Sequence, residues 1–286
     1  MRPLEFTLKT ITPMFMAGAD GKTFELRPPS IKGLMRFWWR AMNGHLSLEE
    51  LRRQEAEIFG GSGKNQGKSK VNLRVSDGRP TFISYSPVPH KPAKFSLQSI
   101  QPGHNFKCHL TFRDISYQER AVSSFKLSLL LGGFGKRSRR GFGSVRINKI
   151  NDEIFDFDYS INSVLNLLNS IENDVFKIEN NKIVRNNPAN REANYPYIKE
   201  IEIGKQYSDY KEILIKTGES SHDYRNNSLG FAFKGKRFAS PIYVSIIKVD
   251  NSDRPYRPVI TTLNTAFENQ RSVNTKKQKQ FKEAIL

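Results

Sequence analysis

One cysteine, Cys108, stands in 286 residues. That excludes an internal disulfide and any metal centre built on paired thiolates, and it sets a reducing, cytoplasmic compartment as the default expectation. Long apolar runs are missing as well: no stretch is long enough to span a bilayer, and residues 1–20 hold no uninterrupted apolar core of signal-peptide type. Acids are scarce, with Asp+Glu 28 against Lys+Arg 46, a formal net charge of +18 and a pI near 9.9. Such an excess points to a polyanionic partner. RNA or DNA fits better than a membrane, because no basic helix carries a large greasy face. No His-x-x-x-His pair lies on an apolar helical run and there is no Walker-type Gly-Lys-Ser/Thr loop, so neither a metal nor a cofactor is expected. His45, His90, His104, His109 and His222 are scattered, and each reads as structural or surface-exposed.

What is abundant is concentrated. In Leu129–Ile147 an apolar, helix-like run ends in Gly132 and Gly133. Lys136, Arg137, Arg139 and Arg140 then crowd together, framed by Gly135, Gly141 and Gly143. Glycines allow close backbone approach and positive φ, and clustered guanidiniums suit phosphate oxygens. A helix C-cap explains Gly132 but not the cations, so the stretch reads as a nucleic-acid contact loop. Phe134 and Phe142 are left open between stacking on bases and packing inside. Arg140-Gly-Phe-Gly143 partly matches an RNA-recognition fingerprint, but Ser144 and Ile147 hold its stacking positions and it follows the second helix, not the third strand.

The second concentration is a helix expected from Ile31 to about Gly44, with Ser30 as N-cap. Ile31, Leu34, Met35, Trp38, Ala41 and Met42 share one side, and Lys32, Arg36 and Arg40 recur every four residues on the other. That face contains no acid, and its self-repulsion suits a phosphate backbone lying against it. Around these features the alternation predicts strands at Leu4–Leu8, Val71–Val75, Thr81–Tyr85, Phe106–Phe112 and Val145–Ile150. A capping box, Ser47-Leu-Glu-Glu50, opens a helix from Leu48 to Phe59, and another helix spans Tyr117–Leu131. Cys108 takes a core position on its strand. The order strand, helix, strand, strand, helix, strand is ferredoxin-like, with insertions around Lys64 and Pro89.

Beyond about Phe155 the texture changes. A helix is expected over Ile161–Ile171, an irregular polar segment over Asn173–Asn194, and extended or short helical pieces at Ile198–Ile203 and Tyr210–Lys216. Alternation over Tyr243–Val249 marks a strand that Pro258–Leu263 could flank, and the basic tail from Glu268 reads as frayed. The whole is α+β: two ferredoxin-like (RRM-like, βαββαβ) domains with insertions, residues 1–153 with the glycine-rich loop and a more divergent 154–286. Asp20, in a glycine-bearing loop, is the one isolated acid that could orient or deprotonate a 2′-hydroxyl, although Asp-Gly chemistry explains it as a turn residue.

Several stretches together resemble the RAMP superfamily of CRISPR effector proteins: Pro29-Ser-Ile-Lys-Gly-Leu-Met-Arg-Phe-Trp-Trp-Arg40, Ile58-Phe-Gly60 with Ser62, and Gly132 to Gly143. The double-tryptophan helix, the Thr12–Asp20 loop and Arg237-Phe-Ala-Ser-Pro241 are similar to the first RAMP subunit of type III-B effector complexes. The resemblance implies ferredoxin-like domains that bind RNA without cutting it. The chain would be one subunit of an antiviral ribonucleoprotein, beside other RAMP subunits, near the 3′ part of the guide RNA and engaging target RNA. Carried over by position, Lys32, Arg36 and Arg40 match the basic helix face, and Gly132, Gly133, Gly135, Lys136, Arg137, Arg139, Arg140, Gly141 and Gly143 match the glycine loop. In the RAMP subunit that cleaves target RNA an aspartate in the loop after the first strand is catalytic; Asp20 lies in the comparable loop, which leaves an endoribonuclease using Asp20 or a histidine as the alternative.

Overall fold

The computed structural model describes residues 3–18, 20, 21, 23–63, 66–92, 95–186, 189, 190, 194–233, 235–250, 252–266 and 273–286. In its first half, β1 (Leu4–Thr10), α1 (Pro28–Met42), α2 (Leu48–Phe59), β2 (Val71–Asp77), a hairpin of β3 (Phe82–Tyr85) and β4 (Leu97–Ile100), β5 (Asn105–Phe112), α3 (Gln118–Leu131), β6 (Val145–Ile150) and β7 (Glu153–Ile154) follow one another. The sheet runs β2-β5-β1-β6-β7, with β1 antiparallel to both β5 and β6. With α1 and α3 as the crossover helices this is the ferredoxin-like order. Helix α2 and the β3–β4 hairpin are insertions in it. Strand β1 shows why the pattern was readable: Phe6 and Leu8 are fully buried and Glu5, Thr7 and Lys9 are not. Cys108 is buried as well, and burial pushes its thiol up to about 12.

Local chemistry shifts some boundaries. Helix α1 starts at Pro28 with Arg27 in the cap position, so Pro28 and Pro29 fill the first turn and Ser30 is not the cap. Proline suits those positions because their N–H groups have no helical partner. At α2, Ser47 Oγ accepts from Glu50 N at 3.2 Å as expected, but the Glu50 carboxylate turns to Arg53 at 2.5 Å and does not close the box.

The second half contains α4 (Ile161–Asn169), β8 (Phe176–Glu179), β9 (Lys182–Arg185), β10 (Ile198–Ile203), α5 (Tyr210–Asp223), a hairpin of β11 (Phe231–Phe233) and β12 (Lys236–Phe238), β13 (Ile242–Lys248), β14 (Tyr256–Leu263) and α6 (Thr275–Glu283). Its sheet runs β13-β14-β10-β9-β8. The succession β10, α5, β13, β14, α6 is again ferredoxin-like, but the edge place beside β10 is filled by β9, from earlier in the chain. This permuted edge overturns the expected irregular segment. Strands β8 and β9 pair antiparallel across Asn180 and Asn181, with φ of 50° and 58°, the backbone that a tight hairpin demands.

Two further expectations are corrected. The pieces around Tyr210 form a full helix, with Asp209 and Glu212 making a reciprocal capping box. The basic tail does not fray over residues 275–286. Phe281 and Ile285 are fully buried, and Lys282, itself buried, pairs with Glu200 and Glu202 of β10. Residues 267–272 lie outside the described residues.

Helix α3 joins the halves. From Ala121 on it is buried at every position but Val122 and Lys126, with Ser123, Ser124 and Ser128 among its apolar residues, as a helix between two layers must be, and it packs on β6 and also on β13 and β14. Ser245 of β13 donates to Leu130 O at 2.6 Å. One buried cluster runs from Phe6, Trp38 and Phe125 to Ile201, Tyr243 and Val259.

Candidate nucleic-acid interface

The glycine stretch is a folded object laced to the Thr12–Met16 segment. Phe134 N donates to Gly143 O at 2.8 Å, Gly143 N to Pro13 O at 3.0 Å and Lys136 N to Phe15 O at 2.8 Å. Thr12 Oγ1 donates to Gly141 O at 2.7 Å and accepts from Ser144 N at 3.0 Å. Such close backbone approach is what the glycines permit. Gly143 sits at φ 66°, where a Cβ would overlap the Phe134 carbonyl, and a Cβ on Gly132 would lie 2.6 Å from Trp38 Nε1. Phe134 and Phe142 are only 2% and 1% exposed, so they pack inside, Phe142 against Phe15 with ring centres 5.2 Å apart.

The four loop cations divide into two arms. Lys136 and Arg137 keep exposed surface, with Arg137 in the left-handed region at φ 61°, its pKa lowered by partial burial of the guanidinium, and Lys136 Nζ 3.3 Å from Gly21 O. Arg139 and Arg140 turn inward to the second half. Arg139 donates to Ser240 O and its guanidinium lies 4.6 Å from the Tyr243 ring centre. Arg140 donates to Ile242 O at 3.1 Å and Leu229 O at 3.2 Å and lies 5.3 Å from the Phe281 ring centre. Burial, with Arg137 and Arg139 nearby, pulls the Arg140 guanidinium down to about 10.

The stripe on α1 is only partly free. Lys32 Nζ donates to Ser69 Oγ at 2.5 Å and Val71 O at 2.9 Å, and burial followed by the Arg36 and Arg113 charges lowers its pKa. Arg36 and Arg40 both reach Glu55 Oε1 at 2.5 Å. The stripe therefore has an acid after all, supplied by α2. Sequence reasoning missed Glu55 because it looked for the counter-charge on the same helix. The clue was present: Leu51, Glu55, Ile58 and Phe59 share the buried face of α2, and Glu55 is 6% exposed.

Asp20 accepts from Thr23 N at 2.9 Å and from Thr23 Oγ1, closing a turn in an exposed loop. The histidines sit on different elements. His104 stacks on Phe106, His109 bonds Ser76 Oγ at 2.8 Å, and His45 has its pKa lowered mainly by burial. His90 lies against Gly218 of α5, and burial, then Lys91, Arg137 and His222, disfavour its charged form. Among the described residues no cluster of three or more His, Cys, Asp or Glu could hold a metal, and no helix is long and apolar enough to cross a membrane.

Residues 7–146 match the RAMP superfamily model. The CRISPR system Cmr subunit Cmr1-2 of Pyrococcus furiosus is 30% identical over 180 residues, 51% of this chain and 96% of that protein. The chain belongs to the RAMP superfamily. Within it the likeness is to Cmr1 proteins: Cmr subunit Cmr1-1 of the same organism is 24% identical over 307 residues, covering 92% of this chain and 88% of that one. The crystal structure of apo Cmr1 from P. furiosus superposes with a TM-score of 0.64 at 20% identity, over 100% of this chain and 96% of that one. A chain in the cryo-EM structure of type III-B Cmr-beta bound to cognate target RNA gives 0.61 at 14% identity over the whole of both chains. These structures share the fold.

Proposed function

We propose that the chain is a non-catalytic RNA-binding subunit of a type III-B CRISPR ribonucleoprotein, acting beside other RAMP subunits on guide RNA, at its 3′ part, or target RNA, in antiviral defence. Kinship with Cmr1 supports the assembly, and the division of the glycine loop carries the RNA contact. Its inner arm is spent on the second half, while Lys136 and Arg137 stand in solvent on a rigid base in a chain of charge +18. A pre-organised pair of exposed cations is what a phosphate backbone requires. Arg139 and Arg140 then act as positioning residues. Lys32, Arg36 and Arg40 form a second contact through the guanidinium and ammonium surface that Glu55 and Ser69 leave open. The boundary between the two ferredoxin-like domains falls at 153/154, within β7 at the edge of the first sheet.

The test is RNA affinity against salt for the full chain. Lys136→Ala with Arg137→Ala lowers affinity about tenfold and reduces the log–log salt slope by about 1.4, two phosphate contacts on a single strand, with the melting temperature unchanged. An unchanged slope removes the loop from the interface. RNA cleavage by the chain that is lost in Asp20→Ala would replace the binding reading with the nuclease one.

A further inference from the structure

We infer that the recess between the Phe24 loop, the β3–β4 hairpin and Lys136 is a nucleobase pocket, taking one unstacked base of a single-stranded RNA with its phosphate on Lys136. This rests on the RNA-binding reading above and names a site for it. The recess holds about 170 Å³. Phe15 and Met16, 3% and 7% exposed, form its floor, Phe24 and Phe82 one wall, and Gln98 and Lys136 its rim.

The hairpin shows why this is more than the edge of a core. Phe82, Ser84 and Gln98 share one face of the β3–β4 ladder with Ile100, which is fully buried, while the other three are exposed. Phe82 stands where that face passes from the buried Ile100 to solvent, and with Phe24 it leaves an aromatic patch beside the recess, the kind of surface that marks a contact site. Phe82 is 37% exposed, meeting Phe24 with ring centres 5.3 Å apart and planes at 65°, and Phe95 on the same hairpin is 54% exposed. The T-shaped pair leaves ring surface uncovered, and any base can stack on it. Gln98 carries both a donor and an acceptor for a base edge. Lys136 is the one charged residue lining the recess among the described residues, and Arg137 follows it along the loop. An apolar peptide would have no use for that cation, and a duplex keeps its bases stacked inside, so a single strand is the occupant.

The full chain is titrated with two short oligomers, single-stranded oligoadenylate and the same ribose-phosphate backbone without bases. Phe82→Ala weakens oligoadenylate binding about tenfold, the effect of one lost base stack, and leaves binding of the abasic oligomer unchanged. Phe82→Trp restores wild-type affinity. If Phe82→Ala disturbs the hairpin, as judged by melting, Phe82→Leu keeps apolar bulk beside Ile100 without a ring to stack on and carries the same expectation. Should these variants bind oligoadenylate as tightly as wild type while Lys136→Ala with Arg137→Ala still weakens it, the pocket is wrong and the RNA-binding reading stands. If the wild-type chain binds neither oligomer, both fall.

Discussion

The two arms of one loop carry the same chemistry and have opposite fates. Lys136 and Arg137 follow a backbone bridge to Phe15 and point to solvent. Arg139 and Arg140, two and three residues on, find carbonyls and aromatic faces of the second half. Charge density therefore does not identify a ligand contact by itself; a guanidinium that satisfies carbonyls across an interface is a structural part. The α1 stripe lies between these extremes, since Arg36 and Arg40 each remain 36% exposed while sharing Glu55.

The comparison can be broken most forcefully at its base. Gly143→Ala forces a side chain into the Phe134 carbonyl at positive φ, and we expect a loss of about 4 kcal/mol in denaturant unfolding with both arms displaced. Arg140→Ala strips donors from Leu229 O and Ile242 O, for a loss of about 3 kcal/mol, whereas Arg137→Ala stays within about 0.5 kcal/mol and affects RNA affinity instead. Equal stability effects would erase the distinction between the arms. Glu55→Gln sharpens the intermediate case. It costs about 2 kcal/mol by removing the shared counter-charge, and the freed Arg36 and Arg40 raise RNA affinity if the stripe touches RNA.

The smallest effect concerns the clamp on α6. Burial alone would raise the Glu200 carboxyl, but the Lys282 hydrogen bond, the Lys282 charge and then Lys182 outweigh it and hold the group below its ordinary 4.5. A depressed carboxylate stabilises the fold above the unfolded value and loses that contribution as the pH falls through the folded one. The unfolding free energy should therefore fall as the solution is acidified below roughly pH 4.5, and Lys282→Met should flatten that limb.

The first sheet was legible because its strands alternate cleanly, as in Phe106, Cys108, Leu110 and Phe112, and because its helices carry strong punctuation at Pro28-Pro29, Ser47 and Gly60. The second was harder. Strand β13 is where its sequence places it, although its burial at nearly every position is not the half-buried face that alternation implies, and the β8–β9 hairpin is short and polar enough to pass for a loop. Helix α6 carries few apolar residues: Phe281 is buried within it and Ile285 just beyond its end, and the Lys282 clamp that holds it is invisible to a hydrophobic pattern.

By itself the sequence determined the ferredoxin-like order of the first half, the core role of Cys108, the basic character of the chain and the stretch in which its glycines and arginines gather. These depend on local periodicity, backbone sterics and net charge, which need no distant partner. Only the tertiary structure decided which cations are spent and which are left free. Glu55 meets Arg36 and Arg40 only because α2 packs against α1, and Ser240 and Ile242, in the other half of the chain, meet Arg139 and Arg140 only because the halves close around α3.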